Sequence, residues 1–485
     1  MVFSSHLFLF YFLPLVLLFY YVAPRKIRHA GLTVFSYFFY GWANPLFMLL
    51  MLLSTLIDYT CGLVLDRYTR HLDEGINFSK ALLMRKVALL VSVCSNLALL
   101  AFFKYFNLFV ESWNALVSVL HFPSAAVNVA FTVVLPLGIS FYTFQSMSYT
   151  IDLYRRKVSV MRNFVDFACY VSLFPQLVAG PIIRFSEVAD QLRSRTHSFE
   201  KFARGFAFLS LGLAKKILLA NACGKIADLA FGTAGIPVYT AWYGIVAYAF
   251  QIYYDFSGYS DMAIGLGLML GFVFPKNFDS PYMSRSITEF WRRWHLSLSC
   301  WLRDYLYIPL GGNRKGSLRT YVNLMIVMLL GGLWHGASWN FLVWGGLHGS
   351  LLALERFRDE LNHRFPGHLP AVPGIFSLPV TFFLVLVTWV FFRAADLGAA
   401  FHYLQAMFGL STSTASGSLI NAVLYSPYYL ASFGAAIACT WAGRQTWDWT
   451  RTIGPIKAVV VVLLMIVSVC IMTTQDFNPF IYFIF

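Results

Sequence analysis

Two histidines with unusual neighbours raise the question of chemistry. His335 stands in the run Leu329-Leu-Gly-Gly-Leu-Trp-His-Gly-Ala-Ser-Trp-Asn340, and His295 stands 40 residues earlier in Glu289-Phe-Trp-Arg-Arg-Trp-His-Leu-Ser-Leu-Ser299. An imidazole with its ordinary pKa near 6.5 can take a proton from an attacking hydroxyl at neutral pH. His335 lies in an apolar stretch from 321 to about 354, flanked by Gly331, Gly332 and Gly336, which let another group come close to the backbone. At membrane depth the desolvation of an ionisable side chain must be offset, and such a residue marks a functional site. The alternative is a neutral core histidine donating to a carbonyl, and this stretch alone leaves both open.

Three further clusters could bind or position a substrate. Residues 284–319 interleave Arg292, Arg293, His295, Arg314 and Lys315 with tryptophans and tyrosines. That segment is too charged to span a bilayer and too aromatic for a solvated loop, which predicts helices lying in the cytoplasmic interface or dipping into the membrane. Within it, Leu310-Gly-Gly-Asn-Arg-Lys-Gly316 carries two cations at a turn without the spacing of a nucleotide-phosphate loop. It suits a phosphorylated substrate and a lipid headgroup equally. The segment Asp255-Phe-Ser-Gly-Tyr-Ser-Asp261 is a polar interruption after the apolar run 239–254, and its carboxylates are expected to cap helix ends. A metal held by His295, His335 and His348 is a competing reading that no metal-ligand spacing supports. Seven cysteines, odd in number and without a CxxC pair, imply neither a disulfide framework nor a zinc site.

What must position these residues follows from composition. Of 485 residues, 59% are hydrophobic and 12% charged, against roughly 25% charged in soluble domains. Apolar runs recur near the ~20 residues that cross a bilayer, and no alternating barrel pattern appears. The fold expected is an all-α polytopic membrane bundle of about ten to twelve spans, with re-entrant or interfacial helices, forming one domain over 1–485 around a buried funnel. The net charge of +14 sits in loops between apolar runs, so it reports topology, with anionic lipid or an anionic cytosolic substrate as secondary uses, and not nucleic acid. Basic clusters at 24–29, 155–157 and 444–457 mark the inner side and place both termini outside, with 7–23 a retained first span. Asp58 and Lys104 fall near expected span ends, where snorkelling would accommodate them. Residues 164–183 carry Pro175 and Pro181 in one apolar run, the mark of a broken helix.

Together, Arg-Arg-Trp-His295, Gly-Gly-Leu-Trp-His335-Gly, the Asp255–Asp261 motif, Phe174-Pro-Gln-Leu-Val-Ala-Gly-Pro181 and Trp301-Leu-Arg-Asp-Tyr-Leu-Tyr307 resemble the membrane-bound O-acyltransferase family. The match is narrowest with its bacterial branch serving O-acetylation of alginate, cellulose and peptidoglycan. It runs over essentially the whole chain and is densest from Gln251 to Gly349. The resemblance implies His335 as the catalytic histidine and His295 as a second one that orients or polarises the acyl group. Arg292, Arg293, Arg314, Lys315, Trp334, Asn340, Asp255 and Ser257 are candidate substrate-binding residues on the matching motifs. It further implies no bound cofactor, acetyl-CoA as donor, a bacterial inner membrane, and periplasmic transferase partners that receive the acetyl group.

The tail Phe480-Ile-Tyr-Phe-Ile-Phe485, within an aromatic segment 477–485, resembles the end of a small partner in teichoic-acid D-alanylation. By that likeness Tyr482 is a candidate acyl carrier; an interfacial aromatic anchor is the alternative. A transporter or flippase of a polymer precursor also suits broken helices and buried polar groups. A structural subunit that only positions the outer transferase is the third possibility.

Overall fold

The computed structural model describes residues 1–42, 44–129, 131–365 and 374–475, and among these it is helical with no strand. Inside hydrocarbon every backbone amide needs an internal partner, and charge-poor runs of this length meet that need as helices. The chain divides into two compact units, Met1–Ser198 with Gly267–Phe274, and Phe199–Leu266 with Pro275–Phe485. Six described helices are long and apolar enough to cross a membrane alone, or seven if the bent pair Gly417–Leu424 and Pro427–Trp441 is one span. The larger expected number counted apolar runs that fold as shorter or more polar helices, such as Leu13–Val22 and Ile139–Tyr154.

In the first unit, Leu46–Asp73 and Phe78–Val119 pack along each other and against Ile139–Tyr154. Here the expectation of snorkelling fails. Asp58 lies mid-helix with no exposed surface, accepting from Ser92 Oγ at 2.5 Å and from Asn96 Nδ2 at 2.8 Å. Lys104 is likewise buried, well inside its 42-residue helix. The broken helix is present: Phe164–Ser172 stops at Leu173, and the next turn, Phe174–Leu177, starts afresh. The freed Phe174 N–H donates to Ser36 Oγ at 3.1 Å.

The second unit holds the motif residues. Val238–Met269 runs as one helix through the polar segment, so Asp255 and Asp261 cap nothing. Each instead neutralises a lysine: Asp255 pairs with Lys216 at 2.8 Å and Asp261 with Lys215 at 2.7 Å. A carboxylate sequestered among helices is stabilised more by an adjacent ammonium than by an amide, and the consecutive lysines supply two. Ser317–His335 and Trp339–Arg364 form an antiparallel hairpin. A Cβ on Gly332 would lie 2.2 Å from Phe341 O, and one on Gly345 would lie 2.4 Å from Met328 O, so these glycines bring the two backbones into contact. Between 284 and 319 the chain makes short helices, Ile287–Trp291 and Leu296–Leu302, and then the π-helix Arg303–Tyr307. Trp294, Trp344 and Trp389, all fully buried, form the aromatic core beside them.

Candidate functional site

His335 is the last residue of its helix because Gly336 turns extended, at φ −160°, and Ser338 then starts the next helix by accepting from Asn340 N–H at 3.1 Å. This break leaves the imidazole at a helix end, edge-on to Trp334, Trp344 and Phe392 with ring centroids 5.1 to 5.2 Å away. Buried though it is, His335 lines a cavity of about 600 Å³. Three guanidinium side chains, Arg292, Arg303 and Arg356, share its wall with Tyr307, Asn313 and a set of leucines. The site can therefore admit a molecule carrying anionic and apolar parts and present it to an imidazole.

His295 sits behind Trp334, whose ring centroid is 6.0 Å away. Its backbone is left-handed, φ +44°, an uncommon and costly conformation for a residue with a side chain. Neighbouring contacts hold it there: Leu296 N–H donates to Asn277 O at 2.9 Å, and the imidazole Nδ1 lies 3.2 Å from Asn277 Oδ1. Phe256 packs edge-on at 4.6 Å. The ring has no exposed surface, and burial pushes its pKa down to about 3 from an ordinary 6.5, so it is neutral at physiological pH. Nε2 has no hydrogen-bond partner among the described residues.

The structure brings some sequence candidates together and leaves others apart. His335 and Arg292 line the cavity, Trp334 packs edge-on against His335, and His295 packs against Trp334 in turn. Arg293 turns to Glu289 at 2.8 Å and to Asp279 O at 3.0 Å. Arg314 and Lys315 stand exposed on their turn, and of that loop only Asn313 reaches the cavity. Asn340 Nδ2 donates to Ala394 O at 2.7 Å, a tie between helices. Asp255 is held by Lys216, and Ser257 is buried one residue beyond the His295 contact at Phe256, its hydroxyl without a partner among the described residues. Tyr482 and the segment 477–485 lie outside the described residues. Among the described residues no three His, Cys, Asp or Glu side chains converge on a point that could hold a metal.

Sequence reasoning missed Arg303 and Arg356 as cavity cations, and missed Asn277. Arg356 sits one helical turn beyond Leu352, on the wall it shares, which a helical projection could have shown. Asn277 lies in an irregular stretch and carries no local signal.

The described chain is helical, with six or seven segments fit to cross a membrane, and it sets one imidazole on the wall of a cavity that also carries three guanidinium groups. Residues 34–393 match the membrane-bound O-acyltransferase family, and the chain belongs to that family: it is a multi-pass membrane O-acyltransferase. It is 41% identical over 507 residues to a Pseudomonas putida protein named probable alginate O-acetylase AlgI, with 100% of both chains covered. The identity is also 41% to the protein of that name from Azotobacter vinelandii, again over 100% of both chains. A peptidoglycan O-acetyltransferase of Helicobacter pylori is 36% identical, over 85% of this chain and 80% of that one.

Proposed function

We propose that this chain takes acetyl from cytosolic acetyl-CoA and passes it across the membrane for O-acetylation of an exopolysaccharide, alginate before cellulose, peptidoglycan or a teichoic-acid type polymer. The observation that carries this reading is the cavity lined by His335 together with Arg292, Arg303 and Arg356. A CoA thioester has phosphates for the guanidinium groups and a long flexible arm that can reach past the leucines to the imidazole. The names of the relatives at 41% identity support the acetyl group and the polymer.

In the transfer itself, His335 takes the proton of an attacking hydroxyl as its oxygen bonds to the carbonyl carbon of the thioester. The carbon–sulfur bond then breaks, CoA leaves as the thiolate, and the imidazolium returns the proton to sulfur. The polymer is outside and the donor inside, so the protein works in a bacterial inner membrane with its termini on the periplasmic side and hands acetyl to a separate periplasmic transferase. Tyr482 is the proposed carrier. Its segment follows Gln475, which is tied to Tyr428 at 2.8 Å and Asn221 at 3.4 Å.

The test is turnover of labelled acetyl-CoA by the purified protein in lipid discs, with peptide mass spectra over the tail. Wild-type protein is expected to consume the donor and to carry acetyl on Tyr482, whereas His335→Ala, with an unchanged melting temperature, does neither. Movement of an undecorated polymer precursor without donor consumption would replace the reading with a flippase.

A further inference from the structure

We infer that Asn277 is a positioning residue that locks His295 in the neutral Nδ1–H tautomer and leaves Nε2 as its one unspent acceptor. The inference rests on the acetyl-transfer reading for its consequence, though not for its geometry.

The tautomer follows from which groups can only donate. The Ser297 backbone N–H points at Asn277 Oδ1 at 3.2 Å, and an N–H has no acceptor capacity. That atom of the Asn277 amide is therefore the oxygen, since a flipped amide would set an NH₂ against an N–H. Ser297 Oγ stands 2.9 Å from the same oxygen and 3.4 Å from His295 Nδ1, and it donates to the nearer acceptor, the amide oxygen. His295 Nδ1, at 3.2 Å from an atom that only accepts, must carry the ring hydrogen. In a neutral imidazole the other nitrogen then has none. Nε2 is fully buried, without a partner among the described residues, and so is an open acceptor. The left-handed backbone at His295 and the Leu296 N–H bond to Asn277 O hold the two residues in this register.

The consequence is a change of role for His295. Polarising an acyl carbonyl needs a donor, and the ring nitrogen that is free to meet a ligand has no hydrogen to give. Toward a hydroxyl His295 can only accept and orient, while proton removal stays with His335. An amide serves this task better than a carboxylate in Asn277's place, because a carboxylate would draw positive charge onto the ring and spoil the acceptor.

Two measurements decide it. The first is the nitrogen-15 solid-state spectrum of histidine-labelled protein in lipid, with His295 assigned by the signal lost in His295→Gln. A hydrogenated Nδ1 and bare Nε2 at pH 7 are expected, and this readout needs no turnover; a hydrogenated Nε2 or an imidazolium overturns the inference whatever the enzyme's activity. The second is the rate of acetyl-CoA turnover. Asn277→Leu is expected to lower it about 100-fold in wild-type background but less than threefold in His295→Gln, since both remove the same oriented acceptor. Asn277→Asp, which keeps the Ser297 contacts, is expected to retain the fold and to create a new acid limb in the pH–rate profile. Losses that multiply in the double variant, or an unmoved pH profile in Asn277→Asp, would reduce Asn277 to scaffold and overturn the inference. If the spectrum is as expected but wild-type protein consumes no acetyl-CoA, the functional reading fails while the tautomer stands.

Discussion

His295 and His348 are both completely buried among tryptophans in the same unit, yet they are opposites. His348 Nδ1 accepts from Trp291 Nε1–H at 3.3 Å, so its Nε2 carries the hydrogen and gives it to Thr388 Oγ1 at 3.0 Å. Thr388 in turn donates to Val385 O at 2.8 Å. Every polar atom of that imidazole is consumed, and it acts as a strut between three segments. His295 spends one nitrogen on Asn277 and keeps the other open. Burial is equal in the two, so burial does not distinguish a site from a strut; an unspent acceptor does.

The comparison can be broken or sharpened by substitution. The largest effect is expected at His335, the imidazole that faces the cavity: His335→Ala should lower turnover about 10²- to 10⁴-fold with an unaltered melt, as the loss of a general base does. His348→Ala should do the reverse. Stranding Trp291 and opening a hole should cost about 2–4 kcal/mol of stability, seen as a lower melting temperature, with turnover per folded molecule unchanged. A loss of turnover at full stability there would erase the distinction. Arg292→Ala, on the cavity side, is expected to raise KM for acetyl-CoA about tenfold, with a weaker salt dependence and kcat nearly intact. The effect that is smallest near neutral pH is on acid stability. Between pH 6.5 and 3 the unfolded chain binds a proton at residue 295 that the folded chain refuses, so stability falls as pH falls, by up to about 1.4 kcal/mol per unit. His295→Gln should flatten that part of the acid melting curve.

The sequence made some of this legible and hid the rest for identifiable reasons. Hydropathy showed the helices because each span must carry its own apolar surface, and the prolines of the broken helix announced themselves. Asp255 and Asp261 were misplaced as caps because the lysines that neutralise them, Lys215 and Lys216, stand about 40 residues earlier, and only packing reveals the pairing. Asp58 was placed at a span end for the same reason: its partners Ser92 and Asn96 come from the next helix. His335 stood out through its glycines. His348 lies in Gly345-Gly-Leu-His-Gly349, a close echo of that motif, and nothing in the spelling separates the working histidine from the structural one. Asn277 was invisible, since a single asparagine outside any helix has no periodicity to betray it.

The contact that Gly332 and Gly345 permit has a further consequence. With two main chains touching there, neither helix can slide or tilt without a clash, so the depth of His335 is set by backbone and not by the side chains around it. The cavity walls at Leu302, Val327 and Met328 are then free to vary. Trimming them should lengthen the acyl group that fits while leaving the base where it stands, which makes this hairpin a fixed ruler against which donors of different size can be chosen.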